Sequence, residues 1–253
     1  MPRSSRVKSN TGVYHIMLRG INRQTIFEDD EDNEKFLEIL GLCKTLSGFE
    51  LYSYCLMGNH IHILLKTINE DLDLIFKRIG VRYVYWYNRK YKRTGHLFQD
   101  RFRSEPVCDD TYFLTVLRYI HRNPIKAKLC VNPDEYKWSS YKEYINKNYG
   151  NRIVDTAFAL DMIGIVELIM HTNMSNTDNC LEYAERKFLP TDAEAKEIMM
   201  ELCLCNPEET AIKFSTQQRD EYIRELRING ISVRQLARIS GINKGIIEKV
   251  LMN

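Results

Sequence analysis

The sequence predicts an α+β fold, in which a ferredoxin-like antiparallel sheet carries helices on one face and an all-α region follows. Strand and helix patterns alternate in the order βαββαβ before residue 110, and one more helix comes after them. The composition shifts at the polar stretch Asn146–Asn151, and three short helical patterns end the chain. We therefore expect a domain over residues 1–150, a helical connector over 151–215 and a helix-turn-helix module over 216–253.

The first strand and helix have clear boundaries in the sequence. Val13–Leu18 is an apolar run of strand length. Acidic residues begin the next segment, apolar residues recur in it at helical spacing, and Gly48 ends it. This pattern predicts a helix from Asp29 to about Ser47.

A hairpin and a second helix follow. Phe49–Met57 and Ile61–Lys66 are strand-like runs, and Gly58-Asn59 between them is typical of a tight hairpin turn. The second helix is expected from about Asp71 to Tyr91.

A fourth strand and a third helix complete the predicted domain. Phe102–Val107 predicts the strand, and the helix begins at Asp110. We expect this helix to stop near Pro124, because the residue before a proline disfavours helical backbone.

Composition excludes several classes of protein. Hydrophobic residues make up 44% and charged residues 28% of the 253 positions, with a formal net charge of +2, an ordinary balance for a chain that buries a core. No apolar run reaches the roughly 18–20 residues that span a bilayer, and the basic N-terminus lacks the apolar region of a signal peptide. The seven cysteines form no CxxC pair, which argues against disulfide and cysteine–zinc frameworks. We therefore expect a cytoplasmic, nucleoid-associated protein without a membrane partner.

Two histidines flank Ile61 in the predicted hairpin. Side chains on a strand point to alternate faces, so His60 and His62 project from the same side, about 6–7 Å apart. Two imidazoles on one face can chelate a divalent cation. The alternative is a pair of ordinary histidines on a half-exposed strand.

A tyrosine and an asparagine lie one turn apart on the third predicted helix. Tyr119 and Asn123 stand one above the other, at i and i+4, beside an apolar face. That face consists of Phe113, Val116, Leu117 and Ile120. A phenol and a carboxamide so placed could serve as nucleophile and metal ligand. Alternatively, Tyr119 covers the edge of the core and Asn123 caps the helix before Pro124.

The segment from Lys77 to Arg103 is both basic and aromatic. It holds nine basic residues against one acid, Asp100, with seven aromatic residues among them. Basic groups bind phosphates and exposed rings stack on unpaired bases, so the segment predicts a DNA-binding surface. Tyr83, Trp86 and Tyr87 also fit the buried stripe of a helix, and DNA contact is therefore assigned first to the charges.

The C-terminal pattern predicts three helices, over Gln218–Arg227, Ser232–Ile239 and Asn243–Leu251. A helix-turn-helix needs a small residue, a glycine in the turn and apolar residues that pack the helices together. Here these positions are filled by Ala237, Gly241, Ile242 and Ile247. The pattern resembles the tri-helical module of replication initiators and Trp repressor. A plain three-helix packing unit is the alternative.

Five sequence blocks, in order, resemble one family of transposases. They are Arg19–Phe27 (RGINRQTIF), Tyr54–Leu64 (YCLMGNHIHIL), Gly95–Ser104 (GHLFQDRFRS), Tyr119–Pro124 (YIHRNP) and Trp138–Tyr141 (WSSY). Residues ~5–145 are in this respect similar to the single-tyrosine HUH transposases. Within that family, the resemblance is to the REP-associated tyrosine transposases and the transposases of the smallest insertion sequences.

The resemblance implies a chemistry and the residues that perform it. In the family, two histidines bind Mg²⁺ or Mn²⁺, a helix tyrosine attacks the scissile phosphate, and a polar residue one turn later completes the metal site. Here these roles fall on His60, His62, Tyr119 and Asn123, and some relatives carry glutamine in place of the asparagine. The implied product is a 5′-phosphotyrosine with a free 3′-OH. His121 is a weaker candidate for proton transfer, because it lies on the opposite flank of its helix.

The expected function is that of a transposase-like DNA endonuclease and strand-transferase. Its expected partners are single-stranded or hairpin DNA of the REP or transposon-end kind, duplex DNA at the C-terminal module, and a second copy of the chain in a homodimer. The residues expected to contact DNA are Arg19, Arg23, Arg89, Lys90, Lys92, Arg93, Arg101, Arg103, Arg234, Lys244 and Lys249. The alternative is a non-catalytic DNA-binding regulator. In that case the helix-turn-helix binds DNA, and the HUH domain is a relic without catalytic activity.

Overall fold

The computed structural model describes residues 6–146, 148–150, 152–174, 178, 180–181, 192–203 and 215–252. The strands are β1 Val13–Arg19, β2 Glu50–Met57, β3 His60–Lys66 and β4 Arg103–Val107. The helices are α1 Asp30–Ser47, α2 Leu72–Lys90, α3 Asp110–Lys126, α4 Tyr141–Ile145, α5 Ala157–Ile163, α6 Ile165–Asn173, α7 Asp192–Cys203, α8 Thr216–Ile228, α9 Val233–Ser240 and α10 Lys244–Met252. Among the described residues, no helix is both long and apolar enough to cross a membrane.

The four strands form one antiparallel sheet in the order β2-β3-β1-β4. Strand β1 lies between β3 and β4, with Met17 opposite His62 and His15 opposite Glu105. A two-residue turn joins β2 to β3, as the sequence predicts. The element order and the strand order together are the predicted ferredoxin-like pattern.

The crossover helices α1 and α2 cover one face of the sheet. Right-handed crossovers place both helices on the same side, and the two pack against each other. Helix α3 lies on the opposite face, where Tyr119 contacts His62. The expected one-sided helix layer therefore holds for α1 and α2. The extra helix α3 lies opposite because its apolar stripe packs against the alternate side chains of the same strands.

Helix α1 begins and ends where the sequence predicts. Asp29 accepts a hydrogen bond from the backbone nitrogen of Asp32 at 3.1 Å. Lys90 of α2 adds positive charge there, with Nζ–carboxylate distances of 2.7 Å to Asp29 and 2.8 Å to Asp32. Gly48 ends the helix at φ 66°, a left-handed conformation that glycine adopts without steric cost.

Helix α3 ends near Pro124, as expected, but it includes the proline. The proline removes one donor, which would have bonded to the carbonyl of Ile120. The backbone hydrogen bonds after the proline still form. Ala127 N donates to Asn123 O at 3.0 Å, and Leu129 N donates to Pro124 O at 2.9 Å. The helix therefore ends at Lys126.

The chain divides into two compact units, Met1–Glu182 and Tyr183–Asn253. This division falls later than the expected boundary near residue 150, because the next segment packs on the first unit. Leu51 N donates to Asp155 Oδ2 at 2.8 Å, and Asp155 N donates to Leu51 O at 2.7 Å. Phe158 stacks on Tyr52 with ring centroids 5.1 Å apart. The expected connector is thus divided, and its first half belongs to the first unit.

The second unit has its own apolar core, to which α7, α8, α9 and α10 all contribute. A three-residue turn joins α9 to α10, and Gly241 begins it with φ 70°. Ile242 and Ile247 are buried, as the sequence pattern predicts. This packing is compatible with the predicted helix-turn-helix and equally with a plain three-helix unit.

Candidate active site

Strand β3 brings His60 and His62 to the same face of the sheet. Their ring centroids are 5.2 Å apart and the ring planes meet at 85°. Ile61 and Ile63, on the other face, are fully buried and anchor the strand. The alternation inferred from the sequence therefore places both imidazoles correctly.

Hydrogen bonds indicate which ring nitrogens are available for a metal. His60 Nδ1 lies 2.7 Å from Asn59 Oδ1, which can only accept, so the proton is on Nδ1 and the lone pair is on Nε2. His62 Nδ1 lies 2.9 Å from His15 Nε2, and His62 Nε2 is buried without a hydrogen-bond partner. Burial, followed by the charges of His15, His60 and Lys126, lowers the pKa of His62 well below its ordinary value. His62 is therefore a neutral imidazole, the form that binds metals.

Helix α3 places Tyr119 against the histidines. The Tyr119 ring is edge-on to His62, with centroids 5.6 Å apart, and to His15, with centroids 5.8 Å apart. Asn123 follows one turn later, and its buried Nδ2 has no hydrogen-bond partner. Lys126 Nζ lies 5.4 Å from the Tyr119 ring centroid. A phenol, an amide and an ammonium group therefore share one flank of the helix.

The donor set fits one divalent cation. Both imidazoles can present a lone pair, and a half-turn of the Asn123 amide would put its oxygen where the unpartnered nitrogen now lies. Among the described residues, no three His, Cys, Asp or Glu side chains are grouped to hold a metal. Further ligands would therefore come from Asn123, the DNA phosphate and water, as is usual for Mg²⁺.

The sequence did not single out His15, Glu105 or Lys126. A signal for Lys126 was present, because it follows Tyr119 by seven residues, two helical turns, and so falls on the same flank. His15 and Glu105 carried no such signal, since only the strand order places them beside each other and beside His62.

His121 belongs to the core and not to the site. Its Nε2 lies 3.1 Å from Ser53 Oγ and 3.0 Å from Ser140 Oγ. Burial lowers the pKa of His121 to about 3. Because proton transfer near neutral pH needs a group that titrates there, the structure gives no support to His121 as a proton shuttle.

Most of the basic residues expected to bind DNA lie at the surface. In the first unit the exposed ones are Arg23, Arg89, Lys92, Arg101 and Arg103, and in the second unit they are Arg234, Lys244 and Lys249. Arg19 and Arg93 are half-buried, and Arg19 ends β1 directly opposite His60. Lys90 differs, because its ammonium is ion-paired with Asp29, Glu31 and Asp32. We therefore leave Lys90 out of the DNA surface that we propose below.

Comparison with known proteins finds a similarity in the first unit. Residues 8–123, which hold the whole sheet, both histidines and Tyr119, match a family of transposases. The family is that of the IS200-like transposases, and the chain is similar to it over these residues.

One solved structure shares the fold, and a second aligns less closely. A structure described as a REP-associated tyrosine transposase bound to a REP hairpin aligns with a TM-score of 0.51 at 14% identity, over 61% of this chain and 94% of that chain. A transposase candidate from Deinococcus radiodurans R1 aligns at 18% identity over 51% of this chain and 95% of that one, with a TM-score of 0.34, too low to carry an argument. No curated protein matches the chain.

Proposed function

We propose that the chain is a metal-dependent transposase that cleaves single-stranded DNA beside a hairpin and rejoins it, with Tyr119 as nucleophile. The observation that carries the proposal is the contact between Tyr119 and His62, whose buried Nε2 has no hydrogen-bond partner. The similarity of residues 8–123 to a transposase family supports the class of reaction.

The residues of the site divide the chemistry among them. A phenol with a pKa near about 10 is a poor nucleophile at neutral pH. Mg²⁺ or Mn²⁺ held by His60, His62 and Asn123 would stabilise the negative charge that develops on the phosphate. The ammonium of Lys126, 5.4 Å from the Tyr119 ring centroid, favours the phenolate and so assists loss of its proton.

The cleavage step is balanced without any further reactant. A bond forms between the Tyr119 oxygen and phosphorus, and the bond from phosphorus to the 3′-oxygen breaks. The proton lost by the phenol is matched by one gained at the 3′-oxygen. The products are a 5′-phosphotyrosine and a free 3′-OH, and attack by another 3′-OH reverses the step and joins strands without ATP.

The nucleophile is more enclosed than the sequence suggests. Only 4% of the Tyr119 surface is exposed, so a DNA phosphate must displace a covering group to reach the phenol. Lys126 at the end of α3 is the natural candidate, because its ammonium lies over the ring and would pair with the phosphate instead. DNA binding would in this way uncover the nucleophile.

The basic residues of the first unit would bind the DNA. Phosphates of a hairpin would bind Arg19, Arg23, Arg89, Lys92, Arg93, Arg101 and Arg103. The similar fold described as bound to a REP hairpin supports this class of ligand. Duplex binding by Arg234, Lys244 and Lys249 of the second unit, and a homodimer, remain predictions.

An end-labelling experiment tests the proposal. The full chain is incubated with Mn²⁺ and a hairpin oligonucleotide that carries a single-stranded flank, labelled at one end or the other, and resolved on a denaturing gel. A 5′-phosphotyrosine predicts label on the protein from the 3′-labelled strand, and a shortened free fragment from the 5′-labelled strand. Tyr119→Phe should bind the hairpin and form no adduct, whereas Tyr112→Phe should still form it.

Two results would contradict this assignment. An adduct formed by Tyr119→Phe would move the nucleophile to Tyr112, whose hydroxyl donates to Glu105 at 2.7 Å on the same flank of α3. Wild-type protein that binds every hairpin tried and never forms an adduct would favour the non-catalytic regulator.

A further inference from the structure

Three neighbouring strands place a row of polar side chains behind His62. Glu105 on β4 is directly opposite His15 on β1. Met17 is opposite His62 on β3, so His15 lies diagonal to His62 on the same face. The row runs from the edge strand to the candidate metal ligand through the centre of the sheet.

The row is buried and its contacts are specific. His15 is fully buried, and its Nε2 lies 2.9 Å from His62 Nδ1. His15 Nδ1 lies 3.9 Å from Glu105 Oε2, too far for a direct hydrogen bond and near enough for Coulomb attraction. Tyr112 donates to the same carboxylate oxygen at 2.7 Å and holds it in place. His15 Nδ1 makes no hydrogen bond to any of the residues that the structure describes.

Metal binding at His62 Nε2 requires one placement of protons along this row. A neutral imidazole carries a single N–H, so His62 presents a lone pair at Nε2 only if its proton is on Nδ1. That proton needs an acceptor, and His15 Nε2 accepts only if the His15 proton is on Nδ1. The negative charge of Glu105 favours the proton on that nitrogen. Glu105 therefore selects the tautomer of His15, and His15 selects that of His62.

We propose that His15 and Glu105 are positioning residues that hold His62 in the tautomer and orientation that bind the metal. The inference rests on the proposed function, since it needs His62 to be a metal ligand. Partners of this kind behind a ligand histidine fix its ring and raise its basicity, and their loss costs about 10- to 100-fold in metal affinity.

Metal binding by the full chain without DNA tests the proposal. Mn²⁺ affinity is measured by calorimetry or electron paramagnetic resonance for wild type, His15→Leu, His15→Gln and Glu105→Gln. His15→Leu should lose about 10- to 100-fold. His15→Gln should recover part of the loss, because its amide oxygen can accept from His62 Nδ1. Glu105→Gln should show a smaller loss, since only the charge is removed.

A matched control and a metal-free readout separate positioning from packing. His121→Asn removes an equally buried imidazole on the same sheet face and should keep wild-type Mn²⁺ affinity. Nitrogen-15 NMR of the imidazoles should show His62 protonated at Nδ1 in wild type, and should show that preference lost in His15→Leu.

The outcomes distinguish this proposal from the proposed function. Wild-type Mn²⁺ affinity and an unchanged His62 tautomer in folded His15→Leu would overturn the positioning role and leave the metal site intact. A wild-type chain that binds no Mn²⁺ would overturn the metal site and the positioning role together. If His15→Leu fails to fold, His15→Gln and Glu105→Gln decide, and wild-type affinity in both would overturn the proposal.

Discussion

The ring of Tyr119 stands edge-on to the imidazole of His62, with centroids 5.6 Å apart and 80° between the ring planes. This contact joins helix α3 to strand β3 across one face of the sheet. It brings the proposed nucleophile to a histidine whose neighbour, His60, lies on the same face. Although the two residues are close, mutations should separate the proposed metal-binding role of His62 from the proposed nucleophilic role of Tyr119.

His62→Ala should abolish the covalent adduct and leave hairpin affinity nearly unchanged, because binding depends mainly on phosphate charges. Asn123→Ala should form adduct only at raised Mn²⁺ concentration, since one ligand of several is lost. Removing the metal with a chelator should stop adduct formation, and adding Mn²⁺ back should restore it. The control is His96→Ala, at an exposed position. An adduct formed by His62→Ala at wild-type yield would exclude His62 as a ligand.

Replacing Arg101 and Arg103 together with alanine should flatten the salt dependence of DNA binding. Both are exposed, and each phosphate contact contributes roughly 0.7–0.9 to the slope of log affinity against log salt. We therefore expect the slope to fall by about one to two units. Affinity measured between about 50 and 200 mM salt checks this. An unchanged slope would mean that these arginines serve the fold.

Lys90→Ala is the matched control for the basic surface. Its ammonium is already paired with Asp29, Glu31 and Asp32, so its loss should leave the salt slope unchanged. The chain should instead unfold more easily, because the N-terminus of α1 loses its link to α2. Thermal denaturation measures this second effect.

The sequence predicts what depends on local periodicity. The bounds of α1, β2 and β3 follow from apolar spacing and from Gly48, and the shared face of His60 and His62 follows from strand alternation. All of these features are determined within a few residues along the chain.

Features that depend on contacts between residues far apart in the sequence were not predicted. His15 and Glu105 are 90 residues apart and meet only because β4 pairs with β1. The extent of the first compact unit depends on such a contact as well. A polar stretch near residue 150 marks a surface loop, whereas the return of Asp155 to Leu51 is a tertiary contact.

Glu143→Ala should destabilise the first unit by about 3 kcal/mol or more. The buried carboxylate accepts from Tyr54 Oη at 2.9 Å, Ile153 N at 2.8 Å and Val154 N at 2.9 Å. Each buried donor left without a partner costs about 1–3 kcal/mol. Urea denaturation of the variant gives the loss, and Glu143→Gln, which can still bond to these groups, should lose much less.

The same pair of proteins should differ in pH dependence. Burial raises the pKa of Glu143 above its ordinary value, so the folded state holds this proton more tightly than the unfolded state. The stability of wild type relative to Glu143→Gln is therefore greatest below the unfolded pKa, and it declines as pH rises through the folded pKa. Denaturation at pH 4 and pH 7 measures the change, and a constant difference would mean that Glu143 is ionised at no cost.

Two truncations test where the catalytic unit ends. A chain ending at residue 182 keeps the whole first compact unit and should form the Tyr119 adduct, because every proposed catalytic residue precedes residue 127. A chain ending at residue 151 loses the Asp155–Leu51 pair, the Phe158–Tyr52 stack and the bond from Arg122 to the Thr172 carbonyl. If the loss of these contacts lowers the free energy of unfolding by about 3 kcal/mol, Tm should fall by roughly 6–12 °C.

The longer truncated chain also tests the role of the second unit. If Arg234, Lys244 and Lys249 contact the duplex part of a hairpin, a chain ending at residue 182 should bind a long-stemmed hairpin more weakly than the full chain. The two should bind a short single strand equally well, because the proposed single-strand contacts all lie in the first unit. Affinities for both ligands, measured at one salt concentration, make the comparison. Equal affinity for the long hairpin would show that the second unit is a packing module without a part in DNA binding.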